Sequence, residues 1–197
     1  MENNIKLNTS SHWLFEIDTV EDWAYWDNAF SKEECEKIIK IGKQIGMIEG
    51  TTKGGVPGVR NSQVSWLHPC KELDFLYKKL TDYIVSLNKQ FFKFNLYGFV
   101  EGLQFTHYPS PGGKYGKHVD RLQNFVQRKL SCSIQLSDPE TYKGGDFFLY
   151  CGELGIPLPK KQGTLIVFPS YVLHEVMPVT EGERNSLVAW VCGPSFK

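Results

Sequence analysis

Nowhere in the 197 residues does an apolar run approach bilayer length, so a membrane partner is not expected. Net charge is also absent, because 22 Lys and Arg balance 22 Asp and Glu. No basic stretch is long enough to neutralise a run of phosphates, and nucleic acid is not expected as an obligate partner. There is no Cys-x-x-Cys pair, and the 5 cysteines are scattered and odd in number. Reduced thiols are the expected state, with Cys132, Cys151 and Cys192 read as small buried apolar residues. The start, Met1 to Ser11, is polar without an apolar leader core, which gives the expectation of a cytoplasmic protein. No internal repeat or low-complexity tract appears, and the length fits one domain over residues 1–197.

What is present changes once along the chain, from a helical first half to a strand-rich second half. Ser31 and Glu34 form a capping box before Cys35, Ile38, Ile41 and Ile45, whose spacing predicts an amphipathic helix ending near Gly46. Leu73, Leu76, Leu80, Ile84 and Leu87 predict a second helix from Lys71 to about Phe92. Between them, Gly50 to Ser62 is glycine-rich and reads as a loop able to act as a lid. From Tyr97 onward the pattern is strand and turn. Leu130, Cys132, Ile134 and Leu136 alternate with Ser131, Ser133 and Gln135, giving a strand with one apolar and one polar face. Further strands are expected at Gly102 to Tyr108, Asp146 to Tyr150, Thr164 to Phe168 and Ser186 to Cys192. The fold class is α+β, mainly β: residues 97–197 form a jelly roll, and residues 1–96 supply helices packed on one sheet.

The chemistry concentrates in His118, Asp120 and His174, followed by Arg184. Two imidazoles and one carboxylate supply three ligands to one face of a divalent metal and leave the other face open for reaction. Nitrogen and oxygen donors without thiolate suit non-haem Fe(II) better than a closed structural zinc cage. His107 faces opposite to Tyr108 in its strand and is read as structural or surface. His12 and His68 have no partner pattern. Gly144 and Gly145 form a turn before a strand, and no helix follows that could make them a phosphate cradle.

Together Tyr108, the turn Pro109 to Gly113, Tyr115, His118, Asp120, Gly144-Gly145-Asp146, Gly163 to Pro169, His174 and Arg184 resemble the Fe(II)- and 2-oxoglutarate-dependent oxygenases. The similarity is greatest to the prolyl 4-hydroxylase-like branch and covers roughly Phe99 to Gly193. It implies a distorted double-stranded β-helix with His118, Asp120 and His174 as iron ligands. His118 and Asp120 are expected on one face at the end of one strand, and His174 near the opposite rim.

The same resemblance implies that Arg184 and Tyr108 bind the distal carboxylate of 2-oxoglutarate, since a guanidinium can offer two parallel hydrogen bonds. Ser186 completes an Arg-x-Ser pattern found in some relatives. Tyr115 is either a substrate contact or a hydrogen-bond partner of Asp120. Arg60, Arg121 and Trp66 are candidate substrate contacts, with a solvated charge the alternative for the two arginines. The implied cofactors are Fe(II), 2-oxoglutarate and O2, with ascorbate as a reductant. Hydroxylation of a peptidyl residue such as proline, with release of succinate and CO2, is the first functional reading. A free amino acid or other small molecule as substrate is the second, and a non-catalytic metal-binding module the third. Oligomeric state stays open.

Overall fold

A computed structural model of the chain describes residues 19–52, 56–121 and 126–195. Met1 to Ser11, His12, and Gly54 and Gly55 of the expected lid lie outside the described residues, as do residues 122–125. The first half contributes β1 (Ala24–Trp26), α1 (Lys32–Gln44), β2 (Ile48–Glu49), β3 (Arg60–Asn61), β4 (Gln63–Leu67) and α2 (Asp74–Leu87). Then follow β5 (Gly98–Phe99), β6 (Leu103–Pro109), β7 (Gly113–His118), β8 (Gln127–Gln135), β9 (Lys143–Gly144) and β10 (Phe147–Tyr150). The chain continues through β11 (Ile156–Pro157), β12 (Leu165–Pro169), β13 (Leu173–Glu181) and β14 (Glu183–Gly193). Among the described residues no helix is long and apolar enough to cross a membrane.

The strands form two antiparallel sheets. The larger runs β1-β12-β8-β14-β6-β4-β2 with β5 added beside β14; the smaller runs β11-β10-β13-β7-β3 with β9 beside β13. This is the double-sheet jelly roll expected from the strand pattern. The first half is less purely helical than its periodicity indicates, because β1 to β4 join the sheets as strands of 2 to 5 residues. Such short segments are below the length at which alternation can be recognised.

The helices cover the outer face of the larger sheet. Cys35, Ile38 and Ile41 of α1 and Leu76, Leu80, Ile84 and Leu87 of α2 join Leu130, Cys132, Ile134, Leu187, Ala189 and Val191 in one core. Ile45 is the cap residue of α1 and lies exposed, off the stripe assigned to it. The capping box forms as the sequence indicates: the Ser31 N–H donates to Glu34 at 2.8 Å, and the Glu34 N–H donates to Ser31 Oγ at 3.3 Å. A second apolar cluster, including Phe147, Leu149, Ile166, Phe168 and Val176, sits between the sheets. Of the three cysteines read as buried, Cys132 and Cys192 are, whereas Cys151 is exposed. It follows the end of β10, where the alternation that would turn it inward has stopped.

Gly42 is where α1 touches the sheet most closely. A Cβ there would lie 2.3 Å from Phe105 Cγ, and the Gly42 carbonyl accepts a 2.6 Å bond from the buried Ser65 hydroxyl. Glycine lowers helix propensity but allows the helix to seat on an aromatic ring. Gly42→Ala should therefore lower the melting temperature: overpacking costs ~1–3 kcal/mol and outweighs a propensity gain of about 1 kcal/mol. A thermal melt that rises for this variant would show that α1 can shift off Phe105 without loss.

Candidate active site

Period-two alternation decides which side chains reach the space between the sheets. On β14, Leu187, Ala189 and Val191 face the helices, while Arg184, Ser186, Val188 and Trp190 line a cavity of about 630 Å³. On β6, Leu103 and Phe105 face the helices, and Gln104 and Tyr108 line the cavity. The polar face of β8 is also buried. Ser131 reaches Asp120, Ser133 lines the cavity, and Gln135 reaches Arg184.

His118 ends β7, and its Cα pairs with that of His174 on the neighbouring β13. Both histidines thus come from adjacent strands of one sheet, not from opposite rims. Asp120 lies just beyond the end of β7 rather than within it. Its backbone N–H donates to the Ser170 carbonyl at 3.0 Å, and its carboxylate accepts a 2.7 Å bond from Ser131. The Nε2 atoms of His118 and His174 lie 3.7 and 3.5 Å from the Asp120 oxygens, and the three ligand atoms all fall within 4.8 Å of one another. Metal bonds of ~2.1 Å at right angles would set cis ligands ~3 Å apart, so a small contraction completes the site.

The second ring nitrogens define the tautomer. His118 Nδ1 is 2.8 Å from the Gly116 carbonyl, and His174 Nδ1 is 2.9 Å from the Val172 carbonyl. A carbonyl can only accept, so each Nδ1 carries a hydrogen, and in the neutral ring Nε2 is the nitrogen whose lone pair faces a metal. Burial, aided by His174, lowers the His118 pKa to about 4, which keeps that ring neutral. Burial opposes ionisation of Asp120, but His174, His118 and the Ser131 hydroxyl outweigh it, so the carboxyl titrates below its ordinary value. Two neutral imidazoles and one carboxylate are the ionisation states that a divalent cation requires. Ser131→Ala should weaken metal affinity ~10–100-fold, as loss of an oriented ligand partner typically does. Competition with a fluorescent chelator would measure it, and unchanged affinity would show that Ser170 and the backbone position Asp120 unaided.

Arg184 is 1% exposed. Its Nη2 donates to Gln135 at 2.8 Å, whereas its buried Nη1 has no partner among the described residues, and the guanidinium lies 5.2 Å from the Tyr108 ring centre. A buried cation with an unused donor beside a phenol, in the same cavity as the three ligands, fits the distal carboxylate of a chelating diacid. Gly145 explains how the guanidinium is admitted: at φ 62° it has no Cβ, and one placed there would lie 3.0 Å from Arg184 Cδ.

Tyr115 reaches the site through a β-bulge. Between the pairs His174 with His118 and Val176 with Tyr115, β7 has one residue more than β13. Residues three apart on a regular strand face opposite ways, and the extra residue turns Tyr115 to stack on His118 at 3.5 Å between ring centres. Arg60 lies 4.5 Å from the other part of this stack, over the Tyr115 ring. Trp66 lines the cavity beside Trp190, with ring centres 6.1 Å apart, and Arg121 is exposed at its mouth. His107 is buried against Asn185 and His68 is exposed; both are away from the ligand group.

Residues not singled out from the sequence complete the wall. Arg128 donates from Nε to Glu101 at 2.7 Å and from Nη1 to the Asp120 carbonyl at 3.3 Å, and packs 3.7 Å from the Trp190 ring centre. No local pattern links Glu101 to Arg128. Ser131 and Gln135 carried a signal, the polar face of an otherwise apolar strand.

Residues 103–192 match the family described as the 2OG-Fe(II) oxygenase superfamily. The match spans the strand-rich region that holds His118, Asp120, His174 and Arg184. A PKHD-type hydroxylase of Sphingopyxis alaskensis is 32% identical over 130 residues, which are 64% of this chain and 59% of that protein. The chain thus spans less than two thirds of this relative's length. A viral collagen prolyl hydroxylase from Paramecium Bursaria Chlorella virus-1, solved as a 2OG complex, superposes with a TM-score of 0.68 at 25% identity. It covers 88% of this chain and 97% of that one. The prolyl hydroxylase of Trichoplax adhaerens, solved with a hypoxia inducible factor peptide fragment, shares the fold with a TM-score of 0.72 at 17% identity, covering 87% and 83%.

Proposed function

We propose that this oxygenase domain hydroxylates a peptidyl residue, with proline first in order, using Fe(II), 2-oxoglutarate and O2. The observation that carries the reading is the junction, in one cavity, of three convergent ligand atoms and the buried Arg184 whose Nη1 lacks a partner. His118, Asp120 and His174 would hold the iron. Arg184, Tyr108 and Ser186 would hold the distal carboxylate of 2-oxoglutarate, with Gln135 fixing the guanidinium from behind. Bound there, the metal and cosubstrate supply oxidation of an unactivated C–H bond, with succinate and CO2 as coproducts.

The chain's own residues do the positioning. The Nε2 atoms of His118 and His174 and the Asp120 carboxylate would hold the metal, and the cavity they line would receive cosubstrate and substrate. Phe147 and Phe168 pack at 5.9 and 4.8 Å from the His174 ring, excluding water from that side. Tyr115, Trp66 and Trp190 give the cavity an aromatic lining against which a substrate would pack. A cavity of about 630 Å³ exceeds what a five-carbon diacid fills, and its rim at Thr51, Thr52, Val56 and Arg121 lies on connecting segments. That shape, and the collagen prolyl hydroxylase among the similar structures, support a peptide over a free amino acid.

The test is anaerobic titration of the metal-free protein with Fe(II) and then 2-oxoglutarate. A visible charge-transfer band is expected, followed by succinate release, with ascorbate supplied as reductant, that proline-containing peptides accelerate. Iron binding with no band would overturn the assignment of Arg184 and Tyr108. A band with acceleration by free proline but not by peptides would move the substrate to the small-molecule class.

A further inference from the structure

The chain has no net charge, yet the cavity wall carries five cationic side chains, from Arg60, Lys117, Arg121, Arg128 and Arg184, against the two carboxylates of Glu101 and Asp120. Arg128 is neutralised by Glu101. A bound Fe(II) dication and a 2-oxoglutarate dianion cancel each other, so loading the site leaves the positive excess in place. Arg60, Lys117 and Arg121 carry that excess. Among the described residues no carboxylate lies within ion-pair distance of them.

Arg60 is the most constrained of the three. Its Nε donates to Ser62 Oγ at 2.7 Å, Nη2 to Gln104 Oε1 at 3.0 Å and Nη1 to the Thr51 carbonyl at 3.3 Å. Every one of these acceptors is neutral, so the guanidinium is oriented without being discharged, and its remaining N–H groups stay available. Lys117 lies over the Tyr150 ring at 4.0 Å; the hydroxyl of that ring donates to Glu175, whose carboxylate is engaged there and forms no ion pair with Lys117. Uncompensated cations on a concave wall focus their field into it, and there they attract anions more strongly than the same charges would on an open surface.

We propose that the substrate is an acidic peptide, with Asp or Glu side chains flanking the residue that enters between Tyr115 and Trp190. The inference rests on the hydroxylase reading and adds the substrate's charge. The three cations come from separate segments of the wall, β3, β7 and the stretch after Asp120. Three cations from three segments suit several carboxylates carried along one extended chain.

The experiment uses the protein loaded anaerobically with Fe(II) and 2-oxoglutarate, and three fluorescein-labelled peptides that place one proline among glutamates, glutamines or lysines. Anisotropy should show the glutamate peptide binding about tenfold or more tighter than the glutamine peptide at low salt, with the difference shrinking as added salt screens the charges. Arg60→Gln with Lys117→Gln should abolish that difference, so that the glutamate and glutamine peptides bind the double variant alike. Equal binding of the glutamate and glutamine peptides would overturn the proposal, as would a double variant that keeps full discrimination. Succinate release, read in parallel, separates the two claims. Turnover of the neutral peptide without charge preference sinks only the acidic substrate, whereas acidic-peptide binding with no charge-transfer band and no turnover sinks only the hydroxylase.

Discussion

Alanine in place of His174 should abolish iron-dependent succinate release while leaving the protein folded. Its Nε2 is one of three convergent ligand atoms, and the two that remain, from His118 and Asp120, do not define the ligand face that an open ferrous centre needs. The fold should persist because the ring adds little that β13 lacks without it. The strand keeps its pairing with β7 and β10, and Leu149, Phe168 and Val176 keep the inter-sheet core. Circular dichroism should therefore match the parent, iron affinity should fall steeply, and the charge-transfer band with 2-oxoglutarate should vanish. Normal turnover in His174→Ala would remove the metal assignment altogether.

Arg184→Met should separate cosubstrate binding from metal binding. Truncating one partner of a buried charged hydrogen-bonded pair costs ~2–5 kcal/mol, or roughly 30-fold to several thousand-fold in the 2-oxoglutarate constant. Iron affinity without cosubstrate should stay near that of the parent, because Arg184 touches none of the three ligands. The variant's stability is the sharper readout. In the absence of cosubstrate the guanidinium is buried, with Nη1 unpartnered and a neutral amide on Nη2, and an uncompensated buried charge opposes folding. An apolar side chain of similar reach should therefore leave the melting temperature unchanged or raise it. A large fall in melting temperature, with iron and 2-oxoglutarate affinities lost together, would make Arg184 a structural residue instead.

Much of this could be read along the chain. The capping box at Ser31, the buried stripe of α2 and the alternation in β8 are local patterns whose partners lie within a few residues, so the elements followed from spacing alone. The ligand set was legible for another reason: few combinations of side chains present two imidazoles, a carboxylate and a following arginine before an apolar strand. Gly42 marks the boundary of such reading. Its cost to the helix is visible in the sequence, while its use, a seat on Phe105, depends on a strand 63 residues away.

The sequence by itself determined the residue types that can bind a metal and a diacid, the two helices and the strand-rich core, because these depend on chemistry and on periods of two and 3.6 residues. Only the tertiary structure decided how they meet. The antiparallel register sets His174 opposite His118, and the bulge in β7 turns Tyr115 onto the face that strict alternation would deny it. Packing of β8 between β12 and β14 buries a polar face that local pattern leaves unassigned, converting Ser131 and Gln135 into supports for Asp120 and Arg184. Glu101 finds Arg128 across 27 residues, and that pairing singles out Arg60, Lys117 and Arg121 as the cations left uncompensated. Charge balance within a cavity is a sum over distant segments. A chain with no net charge can therefore carry a strongly positive site that no stretch of its sequence displays.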